Sequence, residues 1–246
     1  MAEAAVGIFG GSGFYSFLDE VETHEVTTPY GAPSAALTIG CVAGRRVAFL
    51  PRHGARHEFA PHAIPYRANV HAFKMLDVKA ILAPCAVGSL QATIHPGEMV
   101  VVDQLVDRTW GRADTYYDSG RVHHVAFADP YDTRLRQLLV TAGRALGLTV
   151  HDGGTAVVIQ GPRFSTRAES AWFRQMGWSV VNMTGYPEAV LAAEAGIPYA
   201  SVALVTDYDA GVDGHEPVTQ DAVFAFFEQN LANVRQLLLR AIAELP

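Results

Sequence analysis

Apolar positions along the chain follow two alternating rhythms. Short runs rich in valine, isoleucine, leucine and alanine recur at Val6–Phe9, Ala35–Ile39, Val47–Leu50, Ala80–Ala86, Met99–Val102, Thr155–Ile159, Val180–Asn182 and Tyr199–Val205. Their length and β-branched content predict strands. Between them, apolar residues return every three or four positions over Tyr66–Leu76, Thr133–Leu146, Thr166–Met176, Pro187–Ala195 and Asp221–Leu245, which predicts helices. Local punctuation agrees. Gly147 and Gly196 sit where left-handed C-terminal caps belong, Pro187 suits a first helical turn, and Thr166 with Glu169 has capping-box spacing. Strands alternating with helices predict an α/β fold: a three-layer sandwich with a mixed central sheet flanked by helices. No repeat, linker or shift in composition divides the sequence, so residues 1–246 are expected to form a single domain.

Composition narrows this picture. Hydrophobic residues make up 50 % and charged residues 17 %, enough for a large core and too apolar for a disordered chain. The mean hydropathy of +0.14 leads us to expect apolar surface buried between subunits. A formal charge of -7 argues against nucleic acid as the main partner. The two cysteines, Cys41 and Cys85, have no metal-ligand spacing and do not indicate a disulfide framework. The N-terminal segment carries an acid and no basic region, and its apolar run stops at Gly10-Gly11. Neither a signal peptide nor a membrane span is expected, which leaves the cytoplasm as the expected compartment.

Candidate chemistry gathers where apolar runs end, and in sheets of this class ligands bind at strand ends. Gly10-Gly11-Ser12-Gly13 follows the first run; its backbone N–H groups and the Ser12 hydroxyl can wrap an anion. It departs from a dinucleotide fingerprint at Ser16 and lacks the lysine of a P-loop. A plain tight turn is the alternative. Arg52-His53-Gly54 follows another run, with Arg56, His57 and His62 close behind. Arginine supplies a permanent forked charge suited to phosphate, with histidine as a further donor. The arginine between these histidines disfavours zinc, and no metal is expected. For His57 and His62, a solvated or core-satisfied ring is the plain reading.

Thr206-Asp207-Tyr208-Asp209 closes the last apolar run. On an extended backbone Asp207 and Asp209 face the same way. Two nearby carboxylates oppose double ionisation, which leaves one protonated near neutral pH. Such an acid suits a heterocycle that takes a proton as it leaves; a helix cap or a divalent-cation site is the alternative. Phe164 offers a face for a flat base. Met183, flanked by Asn182 and Thr184, is a soft surface at a strand end. His123 and His124 read as solvated loop residues.

Together, Gly10–Gly13, Arg52-His53-Gly54, Tyr66–Asn69, Gly88-Ser89-Leu90, Asp103-Gln104, Asp107–Thr109, Gly161–Ser165, Asn182–Thr184 and Thr206–Asp209 resemble the methylthioadenosine phosphorylase branch of the purine nucleoside phosphorylase family. The resemblance runs from Val6 to the C-terminal helix. It implies a homotrimer that cleaves a purine nucleoside with inorganic phosphate as co-substrate, with no metal or organic cofactor. The products implied are adenine and 5-methylthioribose 1-phosphate. Carried over residue by residue, Ser12, Arg52, His53 and Thr184 become phosphate ligands, with Cys85 and Ala86 lining the same pocket. Met183 meets the ribose, while Phe164 and Ser165 border the base. Asp207 and Asp209, with Tyr208 between them, hold its N7 and amine. His124 reaches the 5′ end of the substrate in a neighbouring subunit, and Gln220, Val223 and Phe224 border that end.

Three departures bear on substrate. Asp207 favours a 6-aminopurine, where an asparagine would suit 6-oxopurines. Cys85 stands where many relatives carry a threonine, and a thiol is the weaker donor. Gln220 replaces an apolar residue and so admits a 5′-hydroxyl. A purine nucleoside phosphorylase of broader or 6-oxopurine specificity (methylthioinosine, inosine, adenosine) is the nearest alternative. A hydrolytic nucleosidase and a nucleotide-dependent oxidoreductase lie further off.

Overall fold

The computed structural model describes residues 4–215 and 219–245. Eleven strands form one sheet: β1 Val6–Gly10, β2 Glu22–His24, β3 Leu37–Val42, β4 Arg45–Pro51, β5 Ala80–Ser89, β6 Met99–Val101, β7 Gln104–Arg108, β8 Val150–Asp152, β9 Thr155–Ile159, β10 Val180–Asn182 and β11 Tyr199–Tyr208. The helices are α1 Tyr66–Met75, α2 Thr133–Ala145, α3 Arg167–Gln175, α4 Gly185–Ala195 and α5 Gln220–Glu244. The main path runs β2-β3-β4-β1-β5-β10-β9-β7, and a branch leaves β5 through β11, β6 and β8. Parallel pairs (β1 with β4 and β5, β11 with β5) coexist with antiparallel ones (β10 with β5, β6 with β11), so the sheet is mixed as expected.

Strand alternation divides the core into two layers. In β1, Ile8 faces a cluster with Phe49, Leu139, Phe227, Leu237 and Ile242, beneath α2 and α5. Its neighbour Phe9 turns the other way, toward Leu37, Val70, Phe73 and Leu191, beneath α1 and α4. A smaller cluster of Leu90, Val157, Phe173 and Val181 seats α3. Caps fall where the sequence places them. Thr166 and Glu169 form a reciprocal capping box, and Gly196 ends α4 in the left-handed region at φ 74°. Tyr186 is extended (φ -121°, ψ 133°), as the residue before a proline prefers, and regular helix begins at Pro187.

The strands absent from the sequence reading are the polar ones. β2 is Glu-Thr-His, β8 is Val-His-Asp, and β7 mixes both characters. Backbone pairing, not apolar content, makes them strands. The expected end of β11 at Val205 also changes: the strand runs on through both acids to Tyr208.

Candidate active site

The C-terminal ends of β1, β4, β5, β10 and β11 converge on a cavity of about 140 Å³. Its first end is built for an anion. After β1 the chain turns tightly, Phe14 N–H donating to the Gly11 carbonyl at 3.0 Å, and Ser12 lines the cavity from this turn. Gly11 is required by close approach: a Cβ there would lie 3.0 Å from Arg52 Nη1 and 3.3 Å from the Pro84 carbonyl. Arg52 is only 1 % exposed. Its Nε and Nη2 each donate to Glu188 at 2.9 Å, and Nη1 donates to the Pro84 carbonyl at 2.9 Å. Three of the five guanidinium N–H groups are thus committed, which leaves two for a ligand. Tyr199 donates a further bond to Glu188 at 2.8 Å. Burial works against the Arg52 charge, but the Glu188 carboxylate outweighs it and keeps the guanidinium charged.

His53 differs from the sequence expectation. Its Nδ1 lies 2.9 Å from the Phe59 carbonyl, which can only accept, so Nδ1 carries the hydrogen. Burial pushes its pKa down to about 3, opposed by the Phe59 bond and assisted by the Arg52 charge. The ring is therefore neutral and presents Nε2 as an acceptor, where a donor was expected; its natural partner is the hydroxyl of a protonated phosphate. Cys85 is also kept neutral, since burial raises its thiol pKa. Ser201 gives its own hydrogen to the Ala83 carbonyl at 2.8 Å, so the thiol 3.6 Å away donates to Ser201. Thr184 precedes α4 and its side chain takes no part in capping. Asn182 does that work, its Oδ1 accepting from the N–H of Thr184 at 2.7 Å and of Gly185 at 2.6 Å.

The opposite end holds the acids. Pairing of β11 with β5 slips between Val205 and Asp207, so Asp207 comes to face Gly88. A Cβ at Gly88 would lie 3.1 Å from Asp207 Oδ1 and 3.5 Å from the Asp209 Cβ, so the missing side chain makes room for both carboxylates. The Thr206 hydroxyl lies 2.7 Å from Asp207 Oδ2 and 3.2 Å from the Val87 carbonyl. It has one hydrogen for two acceptors, and protonation of Asp207 removes the conflict. Burial, opposed by the Thr206 bond and reinforced by Asp209, raises the Asp207 pKa to about 6. Like-charge repulsion, the cause read from the sequence, is thus the lesser contribution.

Burial also raises Asp209. The hydroxyls of Ser170 and Ser165 lie near enough to temper that rise, yet Asp209 Oδ2, Ser165 Oγ and Ser170 Oγ make no well-formed hydrogen bond. Phe164, 37 % exposed, flanks this end.

The third wall is the first turn of α5, with Gln220, Val223 and Phe224, joined by His57 beside Phe224. All the residues assigned from the sequence line this one cavity except two. Tyr208 turns to the other side of the strand, bonded to His95 and stacked 4.5 Å from His215. His124 is exposed on a loop and does not line the cavity. Sequence reasoning missed Glu188 and the capping role of Asn182. An acid inside the apolar helix Pro187–Ala195 was the signal for the first, since a buried acid needs a cation. Among the described residues, no group of three histidine, cysteine or acidic side chains is arranged to hold a metal ion.

An ion-paired guanidinium at one end and, at the other, an acid protonated below pH of about 6 can place an oxyanion beside a sugar and neutralise a departing base. The comparisons with known proteins agree with that chemistry. The S-methyl-5′-thioadenosine phosphorylase of Mycolicibacterium smegmatis is 56 % identical over 239 residues, 96 % of this chain and 90 % of the relative. A purine nucleoside phosphorylase of Streptomyces coelicolor is 50 % identical, covering 99 % and 90 %. Methylthioadenosine phosphorylase from Schistosoma mansoni, solved in complex with adenine, superposes with a TM-score of 0.94 at 42 % identity, covering 98 % of this chain and 91 % of that one. The phosphorylase superfamily model matches residues 5–243, and the chain belongs to that family.

Proposed function

We propose that this enzyme cleaves the N-glycosidic bond of 5′-methylthioadenosine with inorganic phosphate, giving adenine and 5-methylthioribose 1-phosphate. The observation that carries the reading is one cavity joining the Arg52 end to the Asp207 end. A phosphate oxygen on Arg52, Ser12 and Thr184 attacks C1′ as the C1′–N9 bond breaks. The bonding pair passes to the purine; Asp207 gives its proton to N7 and, through its other oxygen, accepts from the exocyclic amine together with Asp209. Positive charge building on the sugar lies against the phosphate, which both stabilises and captures it. Met183 supports the ribose. Asp207 then regains a proton from solvent. The cycle needs neither metal nor organic cofactor.

The working unit in this reading is a homotrimer in the cytoplasm, where His124 of each subunit completes a neighbour's site and the product feeds methionine and purine salvage. Apolar surface at the open β7 edge favours assembly: Trp110 is 66 % exposed and Met176 56 %, and the Arg108 guanidinium lies over the half-exposed Trp172 ring. A purine nucleoside phosphorylase of broader specificity is the second reading, carried by the polar Gln220 on the third wall. Rates with methylthioadenosine, adenosine, methylthioinosine and inosine at saturating phosphate test both. Methylthioadenosine is expected fastest; a preference for inosine would overturn the assignment.

A further inference from the structure

A nucleoside has three ends: the base, the C1′ face that meets the nucleophile, and the C5′ substituent. Resting on the reading just given, the acids take the first and Arg52 with His53 takes the second, which leaves the third wall for C5′. His57 stands on that wall in the left-handed region, at φ 61°, a costly conformation for a residue other than glycine. Its ring is fixed on three sides. It stacks on His53 with centroids 4.5 Å apart, meets the Phe224 ring edge-on at 5.1 Å, and places Nδ1 3.0 Å from the Tyr15 hydroxyl. The other ring nitrogen, Nε2, has no protein partner among the described residues. A tyrosine hydroxyl can donate or accept, so either tautomer fits and Nε2 can do the same.

We propose that His57 is a specificity-determining residue for the C5′ substituent: its Nε2 hydrogen-bonds a 5′-hydroxyl, with Tyr15 setting the orientation of the ring. The wall then serves two kinds of substituent. A methylthio group packs on Val223, Phe224 and the imidazole face, and a hydroxyl uses Nε2 and the Gln220 amide. The substrate class is 6-aminopurine nucleosides with either an apolar or a hydroxyl-bearing C5′, adenosine among them.

The test is the ratio of kcat/KM for adenosine to that for 5′-deoxyadenosine, which differ by one oxygen. It is measured in the native enzyme, in His57→Gly and His57→Asn, and in Tyr15→Phe. Glycine and asparagine both accept a positive φ, so neither substitution strains the turn. The ratio is expected to fall about tenfold in His57→Gly, in the same direction in His57→Asn, and less in Tyr15→Phe. An unchanged ratio, with both nucleosides slowed alike, overturns the proposal and leaves His57 a packing residue. Native activity without phosphate is read in the same assay. Phosphate independence would remove the phosphorolysis reading, whereas the ratio reports on His57 whichever nucleophile acts.

Discussion

At the anion end of the cavity, the charged and polar groups are already matched; at the base end, several are not. Arg52, Glu188, Tyr199 and the Pro84 carbonyl close a buried network in which each partner has a bond. Across the cavity, Asp209 Oδ2 and the hydroxyls of Ser165 and Ser170 are buried without one. A buried polar atom left unmade costs about 1–3 kcal/mol, a cost that a purine's amine can relieve at Asp209, which lines the cavity. The difference separates two tasks. The matched end fixes where the oxyanion sits before it arrives, and the unmatched end turns recognition of the right base into binding free energy.

The largest effect is expected at the matched end. Glu188→Ala leaves the Arg52 charge buried and alone, and should destabilise the protein by about 3–5 kcal/mol in urea unfolding. A loss below about 1 kcal/mol would mean that the network is not the anchor described. At the other end, Asp207→Asn removes the proton donor and reverses the polarity offered to the purine 6-position. Its kcat/KM for methylthioadenosine should fall about 100-fold, with relative preference moving toward hypoxanthine nucleosides. Equal losses for both bases would contradict the role given to Asp207.

Stability against pH sharpens the same contrast. The Asp207 pKa is raised from 3.8 to about 6 in the folded state, so folding favours the protonated form. Its contribution is fully present below pH 3.8 and lost as pH rises through about 6. Ligand-free enzyme should lose roughly 1–3 kcal/mol from this group over that window, and Asp207→Asn should abolish the loss. The kcat/KM profile, which reports the free enzyme, should likewise decline above pH of about 6. The smallest effect is expected from Ser170→Ala, which deletes an unpaired buried hydroxyl. Ser170 does not line the cavity, so KM for the nucleoside should hold, and unliganded stability should fall by no more than about 1 kcal/mol.

Much of this arrangement is legible in the residues alone. Strands with apolar runs announce themselves, and β9 and β10 keep their expected bounds at Thr155–Ile159 and Val180–Asn182. The polar strands β2 and β8 do not, because pairing with β3 and β6 rather than apolar content creates them. The candidate site was readable as polar clusters at strand ends, yet its charge state was not. That His53 accepts rather than donates depends on the Phe59 carbonyl six residues on. That buried Arg52 keeps its charge depends on Glu188, 136 positions away. Tyr208 is a different case: the same period-two alternation that brings Asp207 and Asp209 into the cavity sends the residue between them out of it, so its place was legible in the sequence.

The central claim is that the Arg52 end exists to hold phosphate against C1′ while Asp207 protonates the base. Phosphorus NMR of enzyme with methylthioadenosine and a measured excess of phosphate tests it most directly. The account predicts one sugar 1-phosphate formed for each adenine released, at a rate that saturates with phosphate. Adenine released just as fast without phosphate, with free methylthioribose as the other product, would contradict it.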